Sequence, residues 1–390
     1  MRKIFVRGCI PSLLFMLAAA SLARCAERVV DLTAADGAKL KATYYAAGKP
    51  GPGVLLLHQC NRDRKVWGGL AQQLSAAGIN VLTLDYRGFG QSAGIPHDKA
   101  TPQELHEELE KWLPDIDVAY QYLVSQPGVA RDAIGVGGAS CGVNNSLQAA
   151  IRHPEVRSLV LLSGNTGYDG RQFLRRDNGI PVFLAYADDD EFKPTIVEIQ
   201  WLYDITADPD KKLVSYPTGG HGADIFRVHP ELMTAITDWY VTTLIKTPGK
   251  APAANQSVAL LPEVQVLNTI DQGGAAKVQT QLEQARQRDP KATMFDEASV
   301  NFMGYEHMQA GDVQGAIAIL KLNAYAYPNS PNVYDSLGDA YLADGQGDLA
   351  RQNSRKALVL LSSDTTDDQQ RKDGIKASAE GKLQQLDDEP

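Results

Sequence analysis

The chain has 390 residues, of which 44% are hydrophobic and 22% are charged, as in a soluble protein that buries a core. This composition excludes wholesale disorder, a collagen-like fibre and a polytopic membrane protein. With 38 lysines and arginines against 47 aspartates and glutamates, the net charge of −9 argues against a nucleic-acid partner. At about 150 residues per domain, the length predicts two or three domains.

The charge is divided unevenly along the chain. Residues 251–390 contain 12 basic and 20 acidic residues, a net charge of −8, whereas residues 1–250 carry only −1. This change in composition predicts two units of different character, with the acidity concentrated on the second.

Residues 1–25 have the pattern of a signal peptide, in which a basic start precedes an apolar stretch and the small-residue segment Ser21-Leu22-Ala23. The apolar stretch, 10–20, is too short to span a membrane comfortably, so we predict a periplasmic or secreted protein without a transmembrane span. A lipoprotein anchored at Cys25 is the less favoured alternative, because Arg24 fits a lipidation site poorly.

Strand and helix patterns alternate through residues 26–246. Most strands read as continuous apolar runs, which is typical of a parallel sheet covered on both faces. The pattern therefore predicts an α/β fold with a doubly wound, mostly parallel sheet. The predicted strands are 28–33, 40–45, 53–58, 79–84, 133–137, 156–162, 181–186 and 212–216.

The rest of the chain reads as a linker, 247–262, followed by an all-α region, 263–390. Three pairs of small residues are 34 positions apart, namely Gly304 and Gly338, Gly311 and Gly345, and Ala316 and Ala350. This period resembles the tetratricopeptide repeat, and helices near 275–286 and 373–386 are expected to cap the stack. A plain helical bundle remains the alternative, and a protein partner for the repeats stays open.

The pattern G-x-S-x-G occurs twice. Around Ser140 an apolar strand runs into the pattern and a helix runs out of it, which is the setting of a nucleophile elbow. Around Ser92 no helix follows, so this copy is interpreted as a glycine-rich turn. Ser140 is the predicted nucleophile.

A serine nucleophile needs a base and an acid that orients the base. Asp190 lies in an acidic run directly after a predicted strand, with Asp189 as its rival, and His221 lies in a glycine-rich loop after the next strand. His229 is interpreted as a surface or capping residue, and His307 as a packing or solvent-exposed residue. The oxyanion donors are predicted to be the backbone N–H groups of Cys141 and Cys60, in the elbow and in the loop after the third strand.

Residues 27–246 resemble the α/β-hydrolase superfamily, nearest to dienelactone hydrolases and small serine esterases, through VLLLHQCNRDRKVW, LTLDYRGFGQSAG, GGASCG, YADDDE and GGHG. The resemblance implies Ser140, Asp190 and His221 as a catalytic triad. Two departures favour a serine esterase over a dienelactone hydrolase. Dienelactone hydrolases have a cysteine at the position of Ser140, and many relatives have His-Gly where this chain has His58-Gln59.

If Cys60 and Cys141 both donate to one oxyanion, their backbones converge, so a disulfide between them is a hypothesis, with two free thiols as the alternative. Only about sixteen residues separate Ser163 and Ile180, where relatives insert a lid, so we expect a modest flap and an open site. Arg175 and Arg176 in this flap are interpreted mainly as a solvated surface pair.

The sequence therefore predicts an exported serine hydrolase that cleaves carboxylic esters or lactones, with a small ester as substrate. No cofactor or metal site is indicated. The alternatives are a peptidase or acyltransferase of the same fold, and a non-catalytic repeat scaffold with a vestigial hydrolase domain.

Overall fold

The computed structural model describes residues 27–251 and 259–388. The predicted signal peptide, 1–25, and part of the predicted linker, 252–258, lie outside the described residues. The strands are β1 (Glu27–Thr33), β2 (Lys39–Tyr45), β3 (Gly51–Leu57), β4 (Asn80–Leu84), β5 (Val129–Ala139), β6 (Val156–Leu162), β7 (Val182–Ala187) and β8 (Lys211–Tyr216).

These strands form one eight-stranded sheet in the order β1-β2-β4-β3-β5-β6-β7-β8. Only the pairs β1–β2 and β2–β4 are antiparallel, so the predicted mostly parallel sheet is confirmed. Strands β4 and β7 are buried at every position, because helices cover both faces of the sheet. The parallel arrangement brings the carboxyl ends of β3, β5, β7 and β8 to one edge.

The helices are α1 (Gly68–Ala76), α2 (Pro102–Leu109), α3 (Trp112–Ser125), α4 (Cys141–Arg152), α5 (Tyr168–Leu174), α6 (Pro194–Ile205), α7 (Ile225–Val228), α8 (Glu231–Val241), α9 (Pro262–Thr269), α10 (Ala275–Arg288), α11 (Glu297–Gln309), α12 (Val313–Ala326), α13 (Pro331–Ala343), α14 (Gly347–Leu361) and α15 (Gln369–Asp388). Two successive helices, α2 and α3, connect β4 to β5. Pro114 lies in the first turn of α3, where its missing N–H is tolerated.

From α9 onward the described chain is helical. The 34-residue spacing of its small residues has a structural basis. A Cβ on Gly304 of α11 would lie 2.6 Å from Leu320 of α12, and one on Gly338 of α13 would lie 3.2 Å from Ser354 of α14. Glycine at both positions therefore lets the paired helices approach closely. The 34-residue period thus corresponds to two helical hairpins, and their likeness to the tetratricopeptide repeat stays a prediction.

The helical region packs directly on the hydrolase-like region. One apolar cluster extends from the sheet and α6 into α9, α10 and α11, and includes Leu184, Leu202, Leu267 and Val300. At the start of α9, the Leu261 N–H donates to Gln200 Oε1 at 2.8 Å. The chain after the predicted linker is therefore continuous with the core of the first region.

A buried ionic network joins the two regions. Arg171 of α5 donates to Asp271 at 3.0 Å and to Glu306 of α11 at 2.6 Å, and all three side chains are buried. Arg175 pairs with the same Asp271 carboxylate at 2.6 Å and is largely buried, so its interpretation as a surface residue was wrong. Arg176 is exposed, as expected.

His307 belongs to this network and is a packing residue, one of its two predicted roles. Its ring nitrogens lie 2.8 Å from Asp312 and 3.1 Å from Asp271. Burial opposes the charged ring, but the hydrogen bonds to both carboxylates raise the pKa of His307 above its ordinary value. Burial alone would raise the pKa of Asp271, yet its bond to His307 and the charge of Arg171 hold it well below its usual range.

Replacing Arg171 with Met is expected to destabilise the protein by about 3–5 kcal/mol, because Asp271 and Glu306 lose their shared buried partner. Chemical denaturation measures the free energy of unfolding. The exposed Arg176→Met is the matched control and should change stability by no more than about 0.5 kcal/mol. Equal stabilities for the two variants would contradict the role of Arg171.

Glu198 of α6 makes the stability of this interface depend on pH. Burial raises its pKa from 4.5 to about 7, and the nearby Glu306 and Asp296 act in the same direction. Between these two pKa values the Glu198 carboxyl is protonated in the folded protein and ionised in the unfolded chain. The stability that the neutral Glu198 carboxyl confers is therefore lost as pH rises from about 4.5 to about 7.

Glu198→Gln, which stays neutral, is expected to remove this fall, worth about 1–3 kcal/mol, and to exceed wild type in stability at pH 8. Unfolding curves of both proteins between pH 5 and 8 test this. The exposed Glu263→Gln serves as control and should follow the wild-type profile. A Glu198→Gln profile parallel to that of wild type would disprove the assignment.

Candidate active site

Ser140 occupies a sharp turn between β5 and α4. Its φ of 54° and ψ of −122° lie in a region that non-glycine residues rarely adopt, at a cost of about 1–3 kcal/mol. The flanking glycines are sterically required: a Cβ on Gly138 would lie 1.9 Å from the Gly142 carbonyl oxygen, and one on Gly142 would lie 2.3 Å from the Leu57 oxygen. The strand, turn and helix expected for an elbow are therefore present.

The other G-x-S-x-G pattern has the structure of a turn, as predicted. Ser92 Oγ donates to the Asp85 carbonyl oxygen at 2.7 Å and accepts from the Lys41 N–H at 2.8 Å. These bonds fasten the turn to β2, so the hydroxyl of Ser92 is engaged in local structure.

Asp190 and His221 meet at the edge where the strands end. Asp190 follows β7, His221 follows β8, and His221 Nδ1 lies 3.0 and 2.9 Å from the two Asp190 carboxylate oxygens. Both side chains are buried. The rival Asp189 is exposed and accepts the Gly220 N–H at 2.8 Å, so it supports the loop before His221. The geometry thus pairs His221 with Asp190.

The His221 loop reaches the elbow through Gly222, where a Cβ would lie 3.3 Å from the Ala139 side chain. Among the described residues, the His221 ring is hydrogen-bonded to the Asp190 carboxylate and not to Ser140. Hydrogen bonds between a nucleophile and its base are often long or poorly aligned without substrate.

Gln59 holds the His221 loop close to the elbow. From the sequence it was noted only as a departure from a family pattern. Its Nε2 donates to the His221 carbonyl oxygen at 3.2 Å, and its Oε1 accepts the Ala223 N–H at 2.8 Å. The amide therefore ties the loop after β3 to the loop after β8. A glycine at this position could form neither bond.

His58, one residue earlier, joins the loop after β3 to the backbone after β4. Its Nε2 accepts the Tyr86 N–H at 3.2 Å, which leaves Nδ1 protonated to donate to the Gln59 carbonyl oxygen at 2.8 Å. Burial lowers the pKa of His58, in agreement with a neutral ring.

Cys60 and Cys141 form a disulfide, so that hypothesis is confirmed. Their Cα atoms are 5.9 Å apart, and 81 positions separate them in the sequence. Cys141 is the first residue of α4, and Cys60 follows β3. The bridge therefore joins the two backbone segments in which the oxyanion donors were predicted.

Two cavities adjoin the bridge. One of about 810 Å³ has Cys60, Phe89 and His97 in its wall, and the other, of about 560 Å³, has Cys141 and Phe302. Within residues 27–251 and 259–388 no group of three His, Cys, Asp or Glu residues could hold a metal ion. Among the helices of those ranges, none is long and apolar enough to cross a membrane.

Comparison with known proteins agrees with this architecture. A family model described as serine aminopeptidase, S33, matches residues 48–176, which include β3, the elbow and α5. The sheet order and the strand-turn-helix around Ser140 have the arrangement of an α/β-hydrolase fold. Thiohydrolase aneE of Aspergillus aculeatus is 30% identical to this chain over 134 residues, 34% of this chain and 39% of that protein.

The uncharacterised protein Rv2307c of Mycobacterium tuberculosis is 30% identical over 140 residues, 35% of this chain and 46% of that protein. The chain thus matches less than half the length of these curated relatives. The Pyrococcus furiosus esterase Pf2001 matches 56% of this chain and 93% of its own, with a TM-score of 0.44 and 20% identity. For a dienelactone hydrolase from Anabaena variabilis the shares are 55% and 94%, with a TM-score of 0.42 and 21% identity.

Reduction of the Cys60–Cys141 bridge is expected to lower the free energy of unfolding by up to about 4 kcal/mol, because it releases a long closed loop in the unfolded chain. Denaturation with and without a phosphine reductant measures this loss. Cys60→Ser/Cys141→Ser should have the reduced stability under both conditions. Recovery of both cysteine peptides unlinked from non-reduced protein would contradict the bridge.

Proposed function

We propose that the protein is a serine hydrolase that cleaves carboxylic esters or lactones through an acyl-enzyme intermediate. The observation that carries this proposal is the buried His221–Asp190 pair at the sheet edge where β7 and β8 end, because β5 ends at the same edge in the strained turn of Ser140. These residue types in this order are the nucleophile, acid and base of the α/β-hydrolase arrangement.

The protonation of His221 follows from its partner. Because Nδ1 faces both Asp190 oxygens, Nδ1 carries the proton and the Nε2 lone pair is free to act as a base. As Ser140 Oγ attacks the ester carbonyl, Nε2 takes the hydroxyl proton and then gives it to the departing alcohol. A water molecule, activated by the same nitrogen, releases the acid and restores Ser140.

The developing oxyanion is assigned to the N–H groups of Cys141 and Cys60. The Cys141 N–H lies at the start of α4, where the helix dipole also favours negative charge. The disulfide holds both donor segments in register before substrate binds, so their alignment requires no reorganisation during the reaction.

Export is part of the proposal. The signal-like pattern of 1–25 is supported by an independent feature, since disulfides persist mainly in oxidising compartments such as the periplasm and the exterior. We therefore assign the mature protein to the periplasm or to secretion.

The printed names of the relatives bear on the bond that is cleaved. The thiohydrolase relative supports acyl transfer from an activated carbonyl, and the matching family model adds peptides as an alternative substrate. Acyl transfer to an acceptor other than water is possible for the same acyl-enzyme. The rates of the purified protein on esters, thioesters and peptides distinguish these substrate classes.

Ser140→Ala is expected to lower kcat/KM on a chromogenic ester by about 10³-fold or more, because the acyl-enzyme no longer forms. Ser92→Ala, in the other G-x-S-x-G pattern, is the matched control and should retain activity. Equal rates for wild type and Ser140→Ala would overturn the proposal and favour a non-catalytic scaffold.

Asp190→Asn is likewise expected to lower kcat by about 10³-fold or more, because an amide stabilises the wrong imidazole tautomer. Its neighbour Asp189→Asn changes the same chemical group outside the pair and should cost far less. The kcat values of the two variants, measured side by side, decide the assignment. A larger loss in Asp189→Asn would reverse it.

A further inference from the structure

The cavity of about 560 Å³ beside the elbow has walls from both regions of the chain. Cys141, Asn144 and Gln148 of α4 line one side, while Phe302, Glu306 and Gln309 of α11 line another. The helical region is therefore part of a cleft that reaches Cys141, the residue after Ser140. Its position bears on what the cleft accepts.

Helix α11 is held rigidly at this place. Glu306 receives the buried Arg171 guanidinium, and His307 bonds Asp271 while its ring lies 4.6 Å from that of Tyr168. Tyr168 and Arg171 belong to α5, the segment expected to form a modest flap. This segment is anchored under α11, so the cleft has a fixed wall there.

The chemistry of the cavity is amphipathic. Its apolar wall includes Leu109 and Phe302, which are 41% and 54% exposed although they are large hydrophobic residues. Amide side chains, which both donate and accept hydrogen bonds, are supplied by Asn144, Gln148 and Gln309.

The charged residues of the wall are Asp169 and Glu306, both acidic, and no lysine or arginine lines this cavity among the described residues. Glu306 is already paired with Arg171, so an anionic group in the cavity would meet the Asp169 carboxylate and no cationic side chain of the wall. The Asn144 oxygen already accepts from Thr166 Oγ1 and from the Gly167 N–H. A plain alkyl chain would offer no hydrogen bond to the Gln148 and Gln309 amides, which is costly in a desolvated site.

We propose that the helical region completes the substrate site, and that Phe302 and Gln309 select esters carrying an uncharged, hydroxyl-bearing ring. The ring face packs on Phe302, and its hydroxyl groups bond the amides. A volume of about 560 Å³ suits such a group. This inference rests on the proposed function, because it names the substrate class of that site.

The test measures binding separately from turnover. In a Ser140→Ala background, calorimetry with methyl 4-hydroxybenzoate and with a 6-O-acetyl glucoside compares aromatic and sugar rings of this class. Hexyl acetate and methyl hydrogen succinate represent alkyl and anionic groups. We expect one of the two ring ligands to bind more tightly than both comparison ligands.

Adding Phe302→Ala to that background is expected to weaken binding of the preferred ring ligand about tenfold, as loss of one aromatic contact predicts. Gln309→Ala should weaken the hydroxylated ring more than the same ring without hydroxyl groups. Val359→Ala removes another exposed apolar side chain, on α14 and outside the cavity wall, and should leave binding unchanged.

The inference is overturned if neither ring ligand binds Ser140→Ala more tightly than both hexyl acetate and methyl hydrogen succinate. It is also overturned if Phe302→Ala and Val359→Ala bind the preferred ring ligand equally well. Absence of ester hydrolysis by the wild-type protein would instead refute the proposed function. The binding measurements do not depend on turnover, so they test the further inference separately. The two failures are therefore distinguishable.

Discussion

The backbone of Ser140 is the constraint on which the site depends. Its positive φ aims the side chain away from the sheet, and the neighbouring chain can accept that geometry only where side chains are missing. Gly138 and Gly142 are two such places, and Gly164 is a third, since a Cβ there would lie 2.5 Å from the Ser140 carbonyl oxygen. Strain at one residue is thus offset by the packing of the whole sheet edge.

The Cys60–Cys141 bridge and Gln59 extend this rigidity to the other loops. Cys141 is part of the elbow, and the disulfide fastens it to the loop after β3. From the same loop, the Gln59 amide bonds the His221 carbonyl oxygen and the Ala223 N–H. Three loops that are distant in sequence are therefore held as one unit without a hydrogen bond between Ser140 and His221.

Much of this arrangement was predictable, because its signals are local. Continuous apolar runs indicated the strands, and a strand, a glycine-flanked serine and a helix indicated the elbow. Asp190 and Asp189 are harder to separate, since neighbours in an acidic run share composition and differ only in where the turn after β7 aims them. Gln59 gave no local signal because its partners lie more than 160 positions away.

The interface between the two regions shows a further limit of sequence reasoning. The burial of Arg175 and His307 has no local signal, because each pairs with Asp271, which is distant in sequence. The acidic second region contributes carboxylates, and the nearly neutral first region contributes the arginines that neutralise them. The shared apolar core alone would allow several docking angles, whereas a buried guanidinium with two carboxylates is satisfied at one. Separation of the regions would leave those charges unpaired, so the helical region is a fixed part of the folded protein.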